Sequence, residues 1–453
     1  MDAKCKGLLI RISLTKGCLK VKLDNVEYGQ RPFGEVYRMK LKGVIPAFLA
    51  AFIVLAMIAR SRAVDTRQIE KVFTKQVLDG EDLKIIDQFL GEAVRELVNT
   101  RDFAEIAKLR TVILSKQSIQ GQYAQQFSES AFKHISAGLE QAKQLPQDRQ
   151  FKVILNLLIL IDGLQDARLT DSAIALLKHS NQAVRYWAVR CVTNPGLLAP
   201  ATGRGTPAER RGLTADGGNP GGTTSQELAQ RIAEQLKELV DTASPEVLGL
   251  MAEFAAAVKV PQGEDLLGRI ADARMKRYVD WTVEYELLDG TILKLLYGKI
   301  AATGSTEPAL ARRFGQLYSY AMQRYIKGRD VLPEANKHYL TSVLVDVEEK
   351  CIGRLLRRPQ STIKKAVEQA DYSAIQQEYD RLFGDGARQG QLVEQLKFDY
   401  GTNPDGSKAP LPLTLPEPQK PRVVGFSILD LQLPIGNPQY VRGAKPVSSQ
   451  VER

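Results

Sequence analysis

The chain has 453 residues, of which 44% are hydrophobic and 25% are charged, a composition close to that of ordinary globular proteins. This composition excludes a wholly disordered chain, a collagen-like fibre and a polytopic membrane protein. Four cysteines and three histidines argue against a disulfide-stapled scaffold and a histidine-rich metal site. Taken alone, the formal net charge of +10 would suggest a polyanionic partner such as nucleic acid or an anionic membrane surface.

The N-terminal region contains an apolar segment, residues 43–59, with no charged residue in seventeen positions. Basic residues precede this segment, and Ser61 and Ala63 fit the −3 and −1 positions of a cleavage site. These are the parts of a secretory signal peptide, so we expect residues 39–63 to direct export, with cleavage after Ala63. Two alternatives stay open: a retained signal anchor, since seventeen residues reach the lower limit of a spanning helix, and a buried core helix.

Residues 1–38 show no clear periodicity, and Met39 begins an ordinary signal sequence. We therefore interpret residues 1–38 as an extension of the gene model outside the folded domain. Residues 1–63 carry twelve basic and four acidic residues, a net charge of +8, which leaves +2 for the remainder. The exported chain would thus be nearly neutral, which disfavours nucleic acid as a partner. It would keep Cys191 and Cys351, which we expect to be two isolated buried thiols rather than a pair.

Helical periodicity begins at Thr66 and predicts an N-terminal helical array over residues 64–198. Its first helix has Ile69, Val72, Phe73 and Val77 on one face and is predicted to end at Asp79. Residues 199–224 hold seven glycines, three prolines and five threonines and predict a flexible insertion. A second helical array is predicted over residues 225–400, with one helix over 263–285 and another over 333–357.

The segment from Asp171 to Val192 resembles a HEAT repeat. Such repeats end a first helix on a leucine pair, pass through a polar turn and continue in a second helix with a characteristic pattern. The residues that occupy the positions of that pattern are Val184, Arg185, Ala188, Cys191 and Val192. The resemblance covers about 22 residues clearly, and residues 244–255 match the pattern more weakly. It implies an all-α fold, an irregular right-handed α-solenoid of helical hairpins.

Residues 401–453 form a proline-rich tail that we expect to be extended. Within it, residues 423–433 form an apolar strip that could add to a sheet edge or fill a groove of a partner. The alternative is that this strip folds back onto the last helices of its own chain. Its apolar residues are Val423, Val424, Phe426, Ile428, Leu429 and Leu431.

Residues that carry catalysis or bind metal form no recognisable constellation, and the usual nucleophile, zinc and phosphate-loop motifs are absent. The segment from Asp280 to Glu286 places carboxylates beside a tryptophan and is interpreted as a solvated helix face. A basic cluster at Arg274, Lys276 and Arg277 could contact phosphates on a solenoid surface. We predict no catalytic residue, no cofactor and no metal.

The predicted function is that of an exported, non-enzymatic scaffold that binds protein partners not identified by the sequence. Three alternatives remain: a scaffold anchored in the membrane through residues 43–59, an exported all-α enzyme, and a nucleic-acid-binding HEAT-like protein.

Overall fold

The computed structural model describes residues 8–15, 18–25, 65–118, 121–197, 225–303, 308–401 and 409–418. The predicted insertion at 199–224, the apolar segment at 43–59 and the strip at 423–433 lie outside these residues. The chain divides into two units, Met1–Val64 and Asp65–Arg453.

The described part of the first unit is a β-hairpin. Strands β1 (Leu8–Thr15) and β2 (Cys18–Asn25) pair antiparallel, with Leu8 opposite Asn25 and Thr15 opposite Cys18. The expectation that residues 1–38 lack periodicity was therefore wrong. Both segments alternate apolar and polar residues, which is the period of a strand.

The described residues of the second unit are predominantly helical, so the predicted all-α class is confirmed. Its α-helices, in chain order, are α1 (Arg67–Phe73), α2 (Gly80–Asn99), α3 (Phe103–Ser115), α4 (Gly121–Ala142), α5 (Gln147–Leu164), α6 (Thr170–Ile174), α7 (Gln182–Val192), α8 (Ser225–Lys237), α9 (Pro245–Ala257), α10 (Pro261–Val279), α11 (Leu287–Thr303), α12 (Pro308–Lys327), α13 (Glu334–Val347), α14 (Gly353–Leu355), α15 (Thr362–Glu368), α16 (Tyr372–Phe383) and α17 (Gln391–Leu396).

Many of these helices contact both the next helix and the next but one. This holds from α9 to α13: α9 packs on α10 and α11, α10 on α12, and α11 on α12 and α13. Helix α7 packs on α9, which joins the helices before residue 198 to those after residue 224. Helical hairpins stacked on one another bury their apolar faces in this way, and the packing is compatible with a solenoid-like fold.

Short polar side chains begin several helices, as helix-capping chemistry predicts. The side chains of Asp102 and Asn181 accept hydrogen bonds from the first backbone amides of α3 and α7. Asp79 and Asp82 form a reciprocal capping box at the start of α2. Asp79 therefore begins a helix, whereas the sequence pattern predicted that it ends one, and Val77 is exposed rather than part of a core face.

The helix predicted over residues 263–285 is shorter than expected: α10 ends at Val279, and a loop over residues 280–286 follows, in which the Glu284 carbonyl accepts from Arg274. The helix predicted over residues 333–357 runs nearly as expected, because α13 continues through a π-helical turn at Glu348–Ile352 into α14. There the carboxylate of Glu348 accepts hydrogen bonds from the amides of Ile363 and Lys364, each at 2.8 Å, and so caps α15.

Candidate peptide-binding groove

Helix α12 is the most enclosed helix in the described part of the chain, because α10, α11, α13, α16 and α17 all pack against it. It nevertheless carries amide and hydroxyl side chains that are almost fully buried: Gln316, Ser319 and Gln323. These residues are spaced three, four and seven positions apart, so they lie on one face of the helix. Buried amide and hydroxyl groups on a helix need hydrogen-bond partners.

The partner is an extended segment of the same chain, residues 409–418, that lies along this face. It belongs to the proline-rich region and contains neither helix nor strand. Two backbone hydrogen bonds position its start: the Tyr400 amide donates to the Ala409 carbonyl (3.0 Å), and the Ala409 amide donates to the Gly401 carbonyl (2.8 Å). The segment is therefore held at its first residue before it reaches α12.

The side chains of α12 bind the backbone of this segment. Gln316 pairs with both backbone groups of Leu413: its amide donates to the carbonyl (3.1 Å) and its oxygen accepts from the N–H (2.8 Å). Gln323 donates to the same carbonyl (3.0 Å) and accepts from the Leu415 N–H (2.6 Å). The ammonium group of Lys327 donates to the Leu415 carbonyl (2.6 Å). Alternate residues of the segment are thus bound through both backbone groups.

Residues below the groove hold Gln323 in its orientation. Its side-chain nitrogen lies 2.9 Å from the Ser319 hydroxyl and 3.1 Å from the Tyr379 hydroxyl. Both hydroxyls accept from this amide nitrogen, and they lie 3.0 Å from each other, so one can donate to the other. These contacts do not involve the docked segment, and they orient the amide toward it.

Side-chain contacts of the docked segment are few. Leu415 is 1% exposed and Pro412 is buried, whereas Leu413 is 61% exposed. Leu411 rests on the turn after α16, where Gly384 has a φ of +104° and an added Cβ would lie 3.1 Å from the Leu411 side chain. The groove therefore combines apolar contacts of Leu411, Pro412 and Leu415 with backbone recognition and leaves the Leu413 side chain in solvent.

Trp281 closes the far end of the groove. Its indole N–H donates to the Pro416 carbonyl at 3.1 Å. Trp281 has a positive φ of 58°, which is uncommon for a large residue. The Arg324 guanidinium lies 5.3 Å from the indole ring and 5.9 Å from the Tyr278 ring. Because Arg324 lies on α12, this cation–π contact holds the indole ring against that helix.

A buried ion pair supports the loop that carries Trp281. The Glu286 carboxylate, which is 0% exposed, accepts from Arg324 (3.2 Å) and twice from the Asn336 side-chain amide (2.8 and 3.0 Å). Arg324 is 3% exposed, and its Nε and Nη1 have no hydrogen-bond partner within the described residues. The expectation that Glu286 lies on a solvated helix face was wrong, because it neutralises this buried arginine.

A second buried ion pair anchors the same loop. Arg274 and Asp289 are both 0% exposed and share two hydrogen bonds, of 2.7 and 2.9 Å. Arg274 also donates to the Glu284 carbonyl, and the Tyr278 hydroxyl donates to Asp289 (2.9 Å). Burial and the Asp289 charge raise the pKa of Tyr278 well above its usual range. Arg274 therefore does not belong to a surface basic cluster, as the sequence pattern had suggested.

The residues of the HEAT-like pattern lie away from this groove. Val184, Ala188, Cys191 and Val192 are all 0% exposed, and Arg185 donates to the His179 and Ser180 carbonyls of the turn before α7. Arg185 also lines a cavity of about 430 Å³ together with Arg277 and Glu284.

The other predicted sites have no described counterpart. Ser61 and Ala63 at the predicted cleavage site lie outside the described residues, as does the strip at 423–433. Cys191 and Cys351 were predicted to be isolated buried thiols, and both are free and buried. Burial raises the pKa of the Cys351 thiol to about 12.

Sequence reasoning missed the amide side chains of α12. A signal was present, since Gln316 and Gln323 are seven residues apart and so share a face of a predicted helix. Their partner lies 97 and 92 residues away along the chain, so the pattern could not show what they bind.

Within the described residues, no helix is long and apolar enough to cross a membrane. Among the same residues, no three side chains of histidine, cysteine, aspartate or glutamate are grouped so that they could hold a metal ion.

Comparison with known proteins gives little further information. No family model matches the chain, and no curated protein matches it. Among solved structures, one match is described as an engineered protein from the Northeast Structural Genomics Consortium. It is 13% identical, the match covers 76% of this chain and 98% of that one, and the TM-score is 0.17. At this TM-score the likeness carries no argument.

Proposed function

We propose that this protein is a non-enzymatic scaffold that binds extended segments of partner proteins in the groove on α12. One observation carries the proposal: the side chains of Gln316 and Gln323 bind the backbone of residues 413 and 415, and the docked segment shows that an extended chain fits. Recognition through the backbone is how extended peptides are commonly bound, with pockets for selected side chains adding specificity.

We also propose that the helices form a HEAT-like α-solenoid. The hairpin of α6 and α7 supports this assignment. Its pattern residues Val184, Ala188 and Val192 are fully buried, and Arg185 bonds the carbonyls of the turn. The packing of helices on their second neighbours is further support. Such an array presents a long helical surface suited to protein partners.

The binding experiment uses the full chain with Leu415→Asp, which places a charge in a buried position and so releases the docked segment. A fluorescent peptide with the sequence of residues 409–418 is titrated against this variant and against the wild type. We expect the released variant to bind at least about tenfold more tightly, because the tethered segment competes in the wild type at high effective concentration.

The matched control adds Gln316→Ala and Gln323→Ala to Leu415→Asp. This removes the amides while keeping the released state, and we expect the affinity to fall by about 30-fold or more. If the peptide binds equally well with and without the two glutamines, the groove is not the binding site and the proposal fails.

Export remains part of the proposal, supported by the basic, apolar and small-residue segments of residues 39–63. Intact-mass measurement of the natural protein tests it. A mature N-terminus at Val64 is expected. Recovery of the chain in the membrane fraction with residues 43–59 retained would show instead the anchored form.

A further inference from the structure

We propose that the groove on α12 selects proline-flanked apolar segments of other proteins, of the pattern Pro-x-x-Leu-Pro, and that residues 412–416 are its competing internal occupant. This inference rests on the proposed function and adds the chemistry of the partner. It follows from which backbone groups of the docked segment are used and which are not.

The groove requires an N–H at only two positions of the central five residues. The amides of Leu413 and Leu415 donate to Gln316 and Gln323, respectively. Pro412 and Pro416 have no N–H, so the segment docks without a backbone donor at these two positions. The segment therefore has proline at two positions where no N–H takes part in docking. It keeps an N–H at Leu413 and Leu415, the two positions where the groove accepts one.

The two prolines also shape the segment before it binds. Each fixes its own φ near −65° and disfavours the helical region for the residue before it. Leu411 and Leu415 are therefore biased toward the extended backbone that the groove accepts. A segment without these prolines would lose more conformational freedom on binding.

Within residues 412–416, the groove restricts the side chain at two positions. Leu415 is 1% exposed and Pro412 is buried, so these positions need an apolar group of matching size. Leu413 and Thr414 are exposed, so their side chains are free to vary. The Pro416 carbonyl accepts from Trp281, and Lys327 pairs with Glu417 at 2.8 Å, which favours an acidic residue after the motif.

Two peptides, each with one proline substitution at an exposed position, test whether the groove selects this pattern. Both are based on residues 409–418 and are titrated against the full chain with Leu415→Asp. In the peptides, Leu413→Pro removes an N–H that the groove uses, whereas Thr414→Pro removes one with no partner on α12. We expect Thr414→Pro to bind within about threefold of the parent and Leu413→Pro to bind at least about tenfold more weakly.

Replacing both flanking prolines by alanine in a third peptide is expected to weaken binding severalfold, because the peptide is then less pre-organised.

In the wild-type chain, excess parent peptide is expected to displace the internal segment, which hydrogen exchange at residues 409–418 would report. A parent peptide that binds neither chain overturns the proposed function itself.

If the parent peptide binds but the two proline-substituted peptides bind alike, this inference is overturned and the binding groove stands. If the parent binds the released variant but never displaces the segment of the wild type, residues 409–418 are a permanent part of the fold. The competing role proposed for residues 412–416 is then wrong.

Discussion

Replacing Asp289 by alanine is expected to lower the free energy of unfolding by about 3–5 kcal/mol, because it leaves the Arg274 charge buried without a partner. Arg274 and Asp289 are both 0% exposed, and Asp289 accepts three hydrogen bonds, two from Arg274 and one from Tyr278. Chemical denaturation followed by circular dichroism measures the change. A loss below about 1 kcal/mol would contradict a buried, fully paired carboxylate at this position.

Two control variants separate the buried charge from the general effect of losing an ion pair. Asp241 pairs with Arg269 on the surface, so Asp241→Ala is expected to cost less than about 1 kcal/mol. Combining Arg274→Met with Asp289→Leu removes both buried charges and is expected to recover much of the loss, since no charge then remains unpaired.

The double substitution of Gln316→Ala with Gln323→Ala is expected to release residues 409–418 from α12. The two side chains make four hydrogen bonds to the segment. At about 0.5–1.5 kcal/mol each, their loss weakens docking by roughly 2–6 kcal/mol, or about 30-fold or more in the docking equilibrium. Hydrogen exchange at Leu413 and Leu415 should accelerate by a similar factor, while the helices keep their protection.

Gln376→Ala provides the control for this release. Gln376 is exposed and donates only to Asp380 on its own helix, α16. This change should leave exchange at residues 409–418 as it is in the wild type. Unchanged protection of the segment in the double variant would mean that the remaining contacts hold it in place, namely the buried Leu415 and Pro412 and the hydrogen bonds from Lys327 and Trp281.

The two buried ion pairs and the groove are parts of one arrangement. Arg274 and Arg324 both bond carbonyls of the loop over residues 280–286, and this loop carries Trp281 to the end of the groove. Arg324 also lies directly against the indole ring. The charge network therefore supports the loop that supplies the tryptophan donor of the groove.

Local features of the sequence were sufficient to predict the helices. Apolar residues at helical spacing predicted a helical array over residues 64–198, where the structure has α2 and α4 among others. The failures occurred where distant residues intervene. The helix predicted over residues 263–285 ends at Val279, and the buried charges of Glu286 and Arg274 resembled ordinary surface charges.

The sequence by itself determined an all-α protein and a hairpin with HEAT-like spacing, because helix periodicity and capping depend on neighbouring residues. It also marked residues 401–453 as proline-rich and extended, but it offered residues 423–433 as the binding strip and not residues 409–418. Only the tertiary structure placed part of that region on α12, because the contacts join residues 97 and 135 positions apart, Gln316 with Leu413 and Trp281 with Pro416. The segment is bound chiefly through its backbone by residues far away in the sequence, so its site becomes visible only once the chain is folded.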